Sequence, residues 1–156
     1  MKYLYLLTFF LLITAEAEQL KIVAKSFEGD EQRGITVFKG NVQITKGSDE
    51  LNASTVTVYT NSKRKPTKYI AKGKVSFYIK TENKAEYKGK AGKAIFIPSQ
   101  KEYHFYKNVH IEQINEKKEI NGEEVVISTV EGKARAKGGN TKPVIMTFEI
   151  EDEDEK

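Results

Sequence analysis

An internal repeat of three copies limits the fold of this chain more than any other feature of its sequence. The copies read Gly40-Asn41-Val42-Gln43-Ile44, Gly73-Lys74-Val75-Ser76-Phe77 and Lys107-Asn108-Val109-His110-Ile111. Their valines lie 33 and then 34 residues apart, and a second apolar segment begins after each copy, at Leu51, Tyr87 and Ile120. A fixed period with one supersecondary unit per copy indicates stacked units that bury one shared core.

The segments around these repeats alternate apolar and polar residues with period two, and we find no run with the spacing of a helix. The first strand is predicted over Leu20–Lys25 and the last over Val144–Ile150. Turns rich in Gly, Asn and Asp separate the strands at short intervals. Many short strands without helices predict an antiparallel sandwich or an open barrel.

The glycines that open the first two copies of the repeat predict how the strands bend. Gly40 and Gly73 allow a bulge where a strand turns from one sheet toward the other. The third copy has Lys107 in place of Gly, but Asn108 tolerates a positive φ, so the turn can survive there. We therefore predict an all-β fold, a twisted antiparallel β-jelly roll that forms an open, V-shaped, two-sheet sandwich from internal repeats.

The two ends of the chain differ in character from its middle. Residues 1–17 combine Lys2, an apolar run from Tyr3 to Ile13 and Ala15-Glu16-Ala17, which predicts a cleaved secretory signal peptide and hence export from the cytoplasm. A buried first strand or an uncleaved anchor is the alternative interpretation of that run. We predict one domain over residues 18–150 and an acidic tail over residues 151–156.

Charge is distributed unevenly along the chain. The whole chain carries +4, whereas the segment Glu149–Lys156 carries −5, so that the body from Glu18 to Phe148 carries +9. A basic body favours anionic partners. Because an exported protein does not meet nucleic acid, anionic lipid headgroups or polysaccharides fit better, and lysines at sheet edges can also serve only to prevent random strand pairing.

The sequence gives little support to catalysis or metal binding. It contains no Cys and none of the common nucleophile, zinc or phosphate-loop motifs. His104 and His110 both alternate against apolar neighbours and are predicted to face outward, so a metal site is not expected. We therefore expect neither an enzyme nor a cofactor.

The inner face of the predicted V is the remaining candidate site. Strand alternation favours an apolar inner face, and the residues assigned to a lipid-binding groove are Leu20, Ile22, Val37, Val42, Ile44, Val58, Phe77, Phe96, Phe105 and Ile111. The same pattern suits a plain core if the two sheets close completely. From alternation alone both interpretations stay open.

Seven segments, in order along almost the whole mature chain, resemble the LptA/OstA-like family. They are Leu20–Lys25, Val37–Val42, Leu51–Val56, Gly73–Tyr78, Gly89–Ala91, Lys107–Val109 and Ile120–Gly122. The resemblance implies a periplasmic, non-enzymatic jelly roll that carries lipopolysaccharide from an LptC-like inner-membrane partner to an LptD-like outer-membrane partner. It also implies protomers that stack head to tail, edge strand to edge strand.

The same resemblance implies lipid contacts at Leu20, Ile22, Phe77 and Phe96. This chain departs from the family at Pro98, where a long apolar residue is common, and in its acidic end. Two other functions remain as alternatives: a structural docking module of the same fold, LptC-like or LptD-like, without lipid traffic, and a secreted binder of anionic polysaccharide.

Overall fold

The structure is a computed structural model, and it describes residues 19–151. The predicted signal peptide and all but the first residue of the predicted acidic tail lie outside that range. Within it the chain forms ten β-strands and one short 3-10 helix, Ile114–Glu116. The strands are β1 Leu20–Val23, β2 Ser26–Asp30, β3 Ile35–Lys46, β4 Asp49–Thr60, β5 Pro66–Lys80, β6 Glu86–Ile97, β7 Glu102–Gln113, β8 Lys118–Ser128, β9 Ala134–Lys137 and β10 Ile145–Phe148.

These strands belong to one antiparallel sheet, with the order β1-β3-β4-β5-β6-β7-β8-β10, to which β2 adds beside β3 and β9 beside β8. Successive long strands are neighbours, so the sheet is a meander. The three sequence repeats are the three hairpins β3–β4, β5–β6 and β7–β8. The predicted all-β jelly-roll fold and its origin in the repeats are confirmed.

Every long strand is bent at its middle, and the bends lie side by side across the sheet. The pairing register shifts between Lys39 and Val42, and again at the equivalent place in each of the next four strand pairs. The predicted pairs of turn residues have positive φ in all three repeats: Gly40 and Asn41, Gly73 and Lys74, Lys107 and Asn108. As expected, the third copy keeps the bend without a glycine.

The aligned bends divide the sheet into two walls that meet along a fold line. The β1 wall contains β1, β10 and the halves of β3–β8 that lie beside them, for example 42–46 of β3 and 75–80 of β5. The β2 wall contains β2, β9 and the other halves, for example 35–39 of β3 and 66–72 of β5. The ends of the walls away from the fold line are called lips below.

The walls face each other across an apolar core. Val42, Val75 and Val109, the valines of the three repeats, are all almost completely buried just past the fold line. Phe105, Ile111, Val125 and Ile127 are fully buried deeper in the sheet. Burial of these branched and aromatic side chains from both walls stabilises the bent sheet.

The structure corrects several boundaries. The first and last strands are shorter than predicted, ending at Val23 and starting at Ile145. The edge strands β2, Ser26–Asp30, and β9, Ala134–Lys137, are additional to the strands predicted from the sequence. Among residues 19–151 no helix is long and apolar enough to cross a bilayer.

Candidate functional site

A cavity of about 400 Å³ lies between the two walls at the end of the molecule where β1 and β2 form the sheet edges. The β1 wall contributes Leu20, Ile44 and Leu51, and the β2 wall contributes Val56, Tyr69, Ala71, Ala94, Phe96 and Tyr103. Most of its lining is apolar. A cavity of this size and character suits a small apolar ligand or one part of a larger one.

Strand pairing explains how aromatic rings come to line this cavity. Tyr69 of β5 pairs with Phe96 of β6, and Phe96 pairs with Tyr103 of β7, so the three side chains share one row on the inner face. The Tyr69 and Phe96 rings lie 6.0 Å apart, and the Phe96 and Tyr103 rings 4.5 Å apart. Together they form a continuous aromatic surface on the inside of the β2 wall.

The aromatic surface ends at a floor made by one residue from each wall. Phe105 follows Tyr103 on the same strand face, with ring centroids 6.0 Å apart. Phe105 then stacks on Phe77 of the opposite wall, with centroids 3.9 Å and planes 17° apart. Both rings are almost completely buried, and they lie next to the cavity-lining residues Leu51 and Ala94, with which they pair.

The two phenols of the aromatic surface stay uncharged across the physiological pH range. Burial raises the pKa of the Tyr103 hydroxyl well above its ordinary value, and the nearby Asp49 carboxylate and Tyr69 add to the effect. Burial also raises the pKa of Tyr69. Both phenols therefore remain neutral, which keeps the inner surface compatible with an apolar guest.

Basic side chains flank the mouth of this cavity on both lips. Lys46 lies at the lip of the β1 wall and contributes to the cavity lining. On the β2 wall the turn that contains Lys63, Arg64 and Lys65 immediately precedes the lining residue Pro66. Arg64 forms an exposed ion pair with Glu31 at 3.5 Å. The lining also contains the acidic residues Asp49, Glu50 and Glu82, so the mouth presents ammonium groups interspersed with carboxylates.

Toward the opposite end of the molecule the two lips are joined. Glu82 N–H donates to the Thr129 carbonyl at 2.8 Å, and the Asn83 side-chain amide donates to the Glu131 carbonyl at 2.7 Å. The Tyr87 hydroxyl donates to the Gly132 carbonyl at 2.5 Å. We call these contacts the cross-wall latch, because they link the β5–β6 turn of the β1 wall to the β8–β9 turn of the β2 wall.

The ten predicted groove residues fall into separate groups in the structure. Leu20, Ile44 and Phe96 line the cavity, and Ile22 packs beside them against the core. Five others are buried in the core below or beside the cavity, namely Val42, Val58, Phe77, Phe105 and Ile111.

Val37 lies on the other face of the sheet. It pairs with Thr57, whereas its neighbour Phe38 pairs with the buried Val56, and successive residues of a strand face opposite sides. The prediction placed Val37 inside because it belongs to an alternating apolar pair with Ile35. The structure shows that this pair faces outward, since β3 is apolar on both faces before its bend.

Tyr69 and Tyr103 were not among the predicted site residues, although they form much of the cavity wall. Tyr69 lies between Lys68 and Ile70, and its pairing with Phe96, which requires the strand register, is the signal that identifies it. Tyr103 lies between Glu102 and His104, two residues before the predicted Phe105, so alternation could have placed it on the same inner face.

The histidines lie apart from the cavity. His104 faces outward and contacts Glu102 at 3.0 Å, and His110 is exposed beside Asn121 at 2.7 Å. No group of three or more His, Cys, Asp or Glu residues within 19–151 is arranged to hold a metal ion.

Comparisons with known proteins agree with this geometry. The chain has the fold of LptH from Pseudomonas aeruginosa, described as the LptA homologous periplasmic component of the lipopolysaccharide transport device. The two share 21% sequence identity with a TM-score of 0.74, over 85% of this chain and 96% of LptH. A comparison with curated proteins gave no match. The family model described as "LptA/(LptD N-terminal domain) LPS transport protein" matches residues 21–133, and the chain therefore belongs to that family.

Proposed function

We propose that this protein is a periplasmic carrier that holds lipopolysaccharide by its acyl chains and passes it from the inner to the outer membrane through head-to-tail assembly. The observation that carries the proposal is the cavity between the walls, with its predominantly apolar lining. Each methylene of an acyl chain gains about 0.8 kcal/mol when it leaves water. Such a cavity therefore lowers the cost of moving a lipid through an aqueous compartment.

The ends of the molecule support the assembly part of the proposal. Seven of the eight large apolar residues that are exposed in the described chain lie on the edge strands or immediately after them: Leu20, Val23, Phe27, Ile145, Met146, Phe148 and Ile150. Exposed apolar residues concentrated on unpaired sheet edges favour strand addition by a second chain.

The directions of the strands allow a second copy to continue the sheet. In the described chain each wall contains eight strands that alternate in direction, so the strands at its two edges run oppositely. β10 of one copy can therefore pair antiparallel with β1 of the next, and β9 with β2. The inner faces of the two copies would then form one continuous surface.

Residues that pair across successive strands form rows that run from one edge of a wall to the other. These rows show which residues of two copies would meet if strand pairing continued from one copy into the next without a change of register. Ile22 and Met146 are the two ends of one inward row of the β1 wall. Val23 and Ile145 end an outward row of the same wall. Both contacts between copies would be apolar, and three of the four side chains are about half exposed in the single chain.

The charges at the edges are complementary in the same arrangement. In the β2 wall, Glu28 of β2 and Arg135 of β9 end one outward row, so they would face each other between copies. In the β1 wall, Lys21 and Thr147 are the two ends of one row. Lys21 of one copy would therefore lie diagonally across from Glu149 of the neighbouring copy.

The proposal is tested by placing a photo-reactive phenylalanine analogue at one position at a time. The analogue at Phe96 lies on the cavity wall, whereas at Tyr106 it lies on the outer face of the same wall, beside Lys93. We expect lipopolysaccharide to crosslink at Phe96 and not at Tyr106, in protein isolated from the periplasm. Both replacements exchange one aromatic ring for another, so their effects on folding are matched.

Equal crosslinking at the two positions, or none at either, would contradict a lipid site between the walls. The docking-module alternative predicts no crosslink at Phe96 but intact binding to membrane partners. The polysaccharide alternative predicts binding that is lost in high salt, because it rests on exposed charges alone, whereas acyl-chain binding persists.

A further inference from the structure

The cavity lies in one half of the molecule, whereas buried core side chains fill the inner face of the other half, and this difference bears on the proposed lipid passage. The cavity occupies the half of the V near β1 and β2, and it stops at the stacked rings of Phe77 and Phe105. Beyond that floor the walls are packed together, with Ile79, Tyr87 and Ile127 almost completely buried. These buried side chains lie between the cavity and the exposed Met146 and Phe148 at the other end.

The cross-wall latch lies at the boundary between the open and the closed half. Glu82, Lys101 and Thr129 belong to both the latch region and the cavity lining. The Glu82 carboxylate lies 3.9 Å from the Lys101 ammonium, and the Thr129 N–H donates to the Lys101 carbonyl at 2.9 Å. The β6–β7 turn is thereby drawn into the same contact between the lips.

The two turns of the latch approach each other unusually closely. Gly132 has a φ of +66°, and a Cβ on it would lie 2.2 Å from Asn83 Oδ1 and 2.6 Å from its Nδ2. Only a residue without a side chain allows this approach. The Asn83 side chain is itself positioned by Thr81, whose hydroxyl contacts Asn83 Oδ1 at 2.5 Å and which is almost completely buried.

The fold permits the latch to open without unfolding the sheet. The walls are continuous along the fold line, where the long strands pass from one to the other, so they can separate only at the lips. At the lips themselves a small set of hydrogen bonds joins two turns in which Glu82, Asn83 and Glu131 are exposed, and below the lips the walls also pack through the buried Ile79, Tyr87 and Ile127. Contacts of this kind open at lower free energy than a buried strand ladder.

We propose that the cross-wall latch is a gate: it holds the β8–β10 half of the molecule closed, and lipopolysaccharide passes along the interior only when the latch opens. This inference rests on the proposed carrier function. In the closed state the cavity of about 400 Å³ accepts one acyl chain. In the open state the closed half extends the groove to the edge where the next copy binds.

The chain contains no Cys, so a disulfide can lock the latch specifically. A Cβ on Gly132 lies 2.8 Å from Asn83 Cγ, which places Cβ atoms at positions 83 and 132 within reach of a disulfide. We would prepare one double variant that carries both Asn83→Cys and Gly132→Cys. Its oxidised form would be compared with its reduced form. Two quantities are measured: binding of dodecyl phosphate, and transfer of lipopolysaccharide to a second, tagged copy of the unaltered chain.

We expect dodecyl phosphate to bind equally in both forms and lipopolysaccharide transfer to fall at least tenfold on oxidation, with recovery on reduction. The single variant Asn83→Cys is the control, and its transfer should not respond to oxidant. Equal transfer by the locked and reduced forms would overturn the gate. If the reduced form neither takes up nor transfers lipopolysaccharide, the carrier function itself is contradicted, and the gate with it.

Because Cys at a positive φ is strained, a second variant tests the gate in the opposite direction. Tyr87→Phe together with Asn83→Ala removes two latch hydrogen bonds and keeps the Tyr87 ring in the core. We expect lipopolysaccharide transfer to become several-fold faster. Tyr78→Phe is the matched control, since its hydroxyl bonds to Glu86 on the outer face of the same wall. Unchanged transfer in the double variant would count against the gate.

Discussion

At the scale of single residues, alternation predicted the inward face of the groove residues with the exception of Val37, but not what each inward residue does. Phe77 lies in an alternating segment and Phe96 between Ile95 and Ile97, and both were assigned to the groove. The structure places Phe96 on the cavity wall and Phe77 in the stack beneath it. The difference depends on where the two walls touch, which is a contact between distant strands and leaves no local pattern.

This difference predicts unequal costs for the same substitution. Phe77→Ala should lower the free energy of unfolding by about 3–5 kcal/mol, because it leaves a void beneath the fully buried Phe105. Phe96→Ala should cost clearly less, since its ring already borders a cavity and is only half buried. Urea unfolding of both variants followed by circular dichroism measures the two values. Equal losses would mean that the cavity is absent in solution.

At the scale of elements, the bends were predictable and the edge strands were not. A turn-forming pair recurs in each repeat, and Asn108 indicated that the third bend survives without glycine. β2 and β9 escaped prediction because their outward residues are charged and their inward residues are few or small: β9 buries only Ala134 and Ala136 beside the core. A strand at the edge of a sheet, which pairs with one neighbour only, needs no strong apolar pattern of its own.

The bends themselves make a quantitative prediction. Gly73 has a φ of +83°, and a Cβ on it would lie 2.8 Å from Ser54 Oγ and 2.9 Å from Ser54 Cβ. Gly73→Ala should therefore lower the free energy of unfolding by roughly 1–2 kcal/mol or more.

Gly29→Ala is the matched control for this substitution. Its φ is not in the left-handed region, and a Cβ there meets Thr36 Oγ1 at an ordinary 3.5 Å. We expect its unfolding free energy to stay within about 0.5 kcal/mol of the parent chain. If both alanine variants unfold at the same urea concentration, the bend at Gly73 does not depend on a positive φ.

At the scale of the whole molecule, the positions of the charges on the edge strands indicate how two copies would meet, and the net charge does not. A body of +9 with an acidic end indicated anionic partners, and the sequence did not show which charges share a row. The structure places Glu28 and Arg135 at the two ends of one row of the β2 wall. Arg135 is exposed and also lies 3.7 Å from Glu102, which leaves its outer side available to a neighbour.

A charge exchange tests the proposed contact between copies. Glu28→Arg or Arg135→Glu alone should weaken self-association roughly fivefold at low salt, because each replaces an exposed attraction by repulsion. The two changes in one chain should restore it, since the pair is re-formed with reversed sign. Sedimentation velocity at low and high salt measures the association. Failure of the double variant to recover would exclude the unshifted register.

The bent meander has a consequence for growth. Because each wall ends in strands of opposite direction, adding a copy to either edge recreates the edge that was just covered. Within residues 19–151, no feature of the sheet then limits how many copies can add. The span of such a filament would be decided by how much protein is present and by whatever different domain caps its two terminal strands.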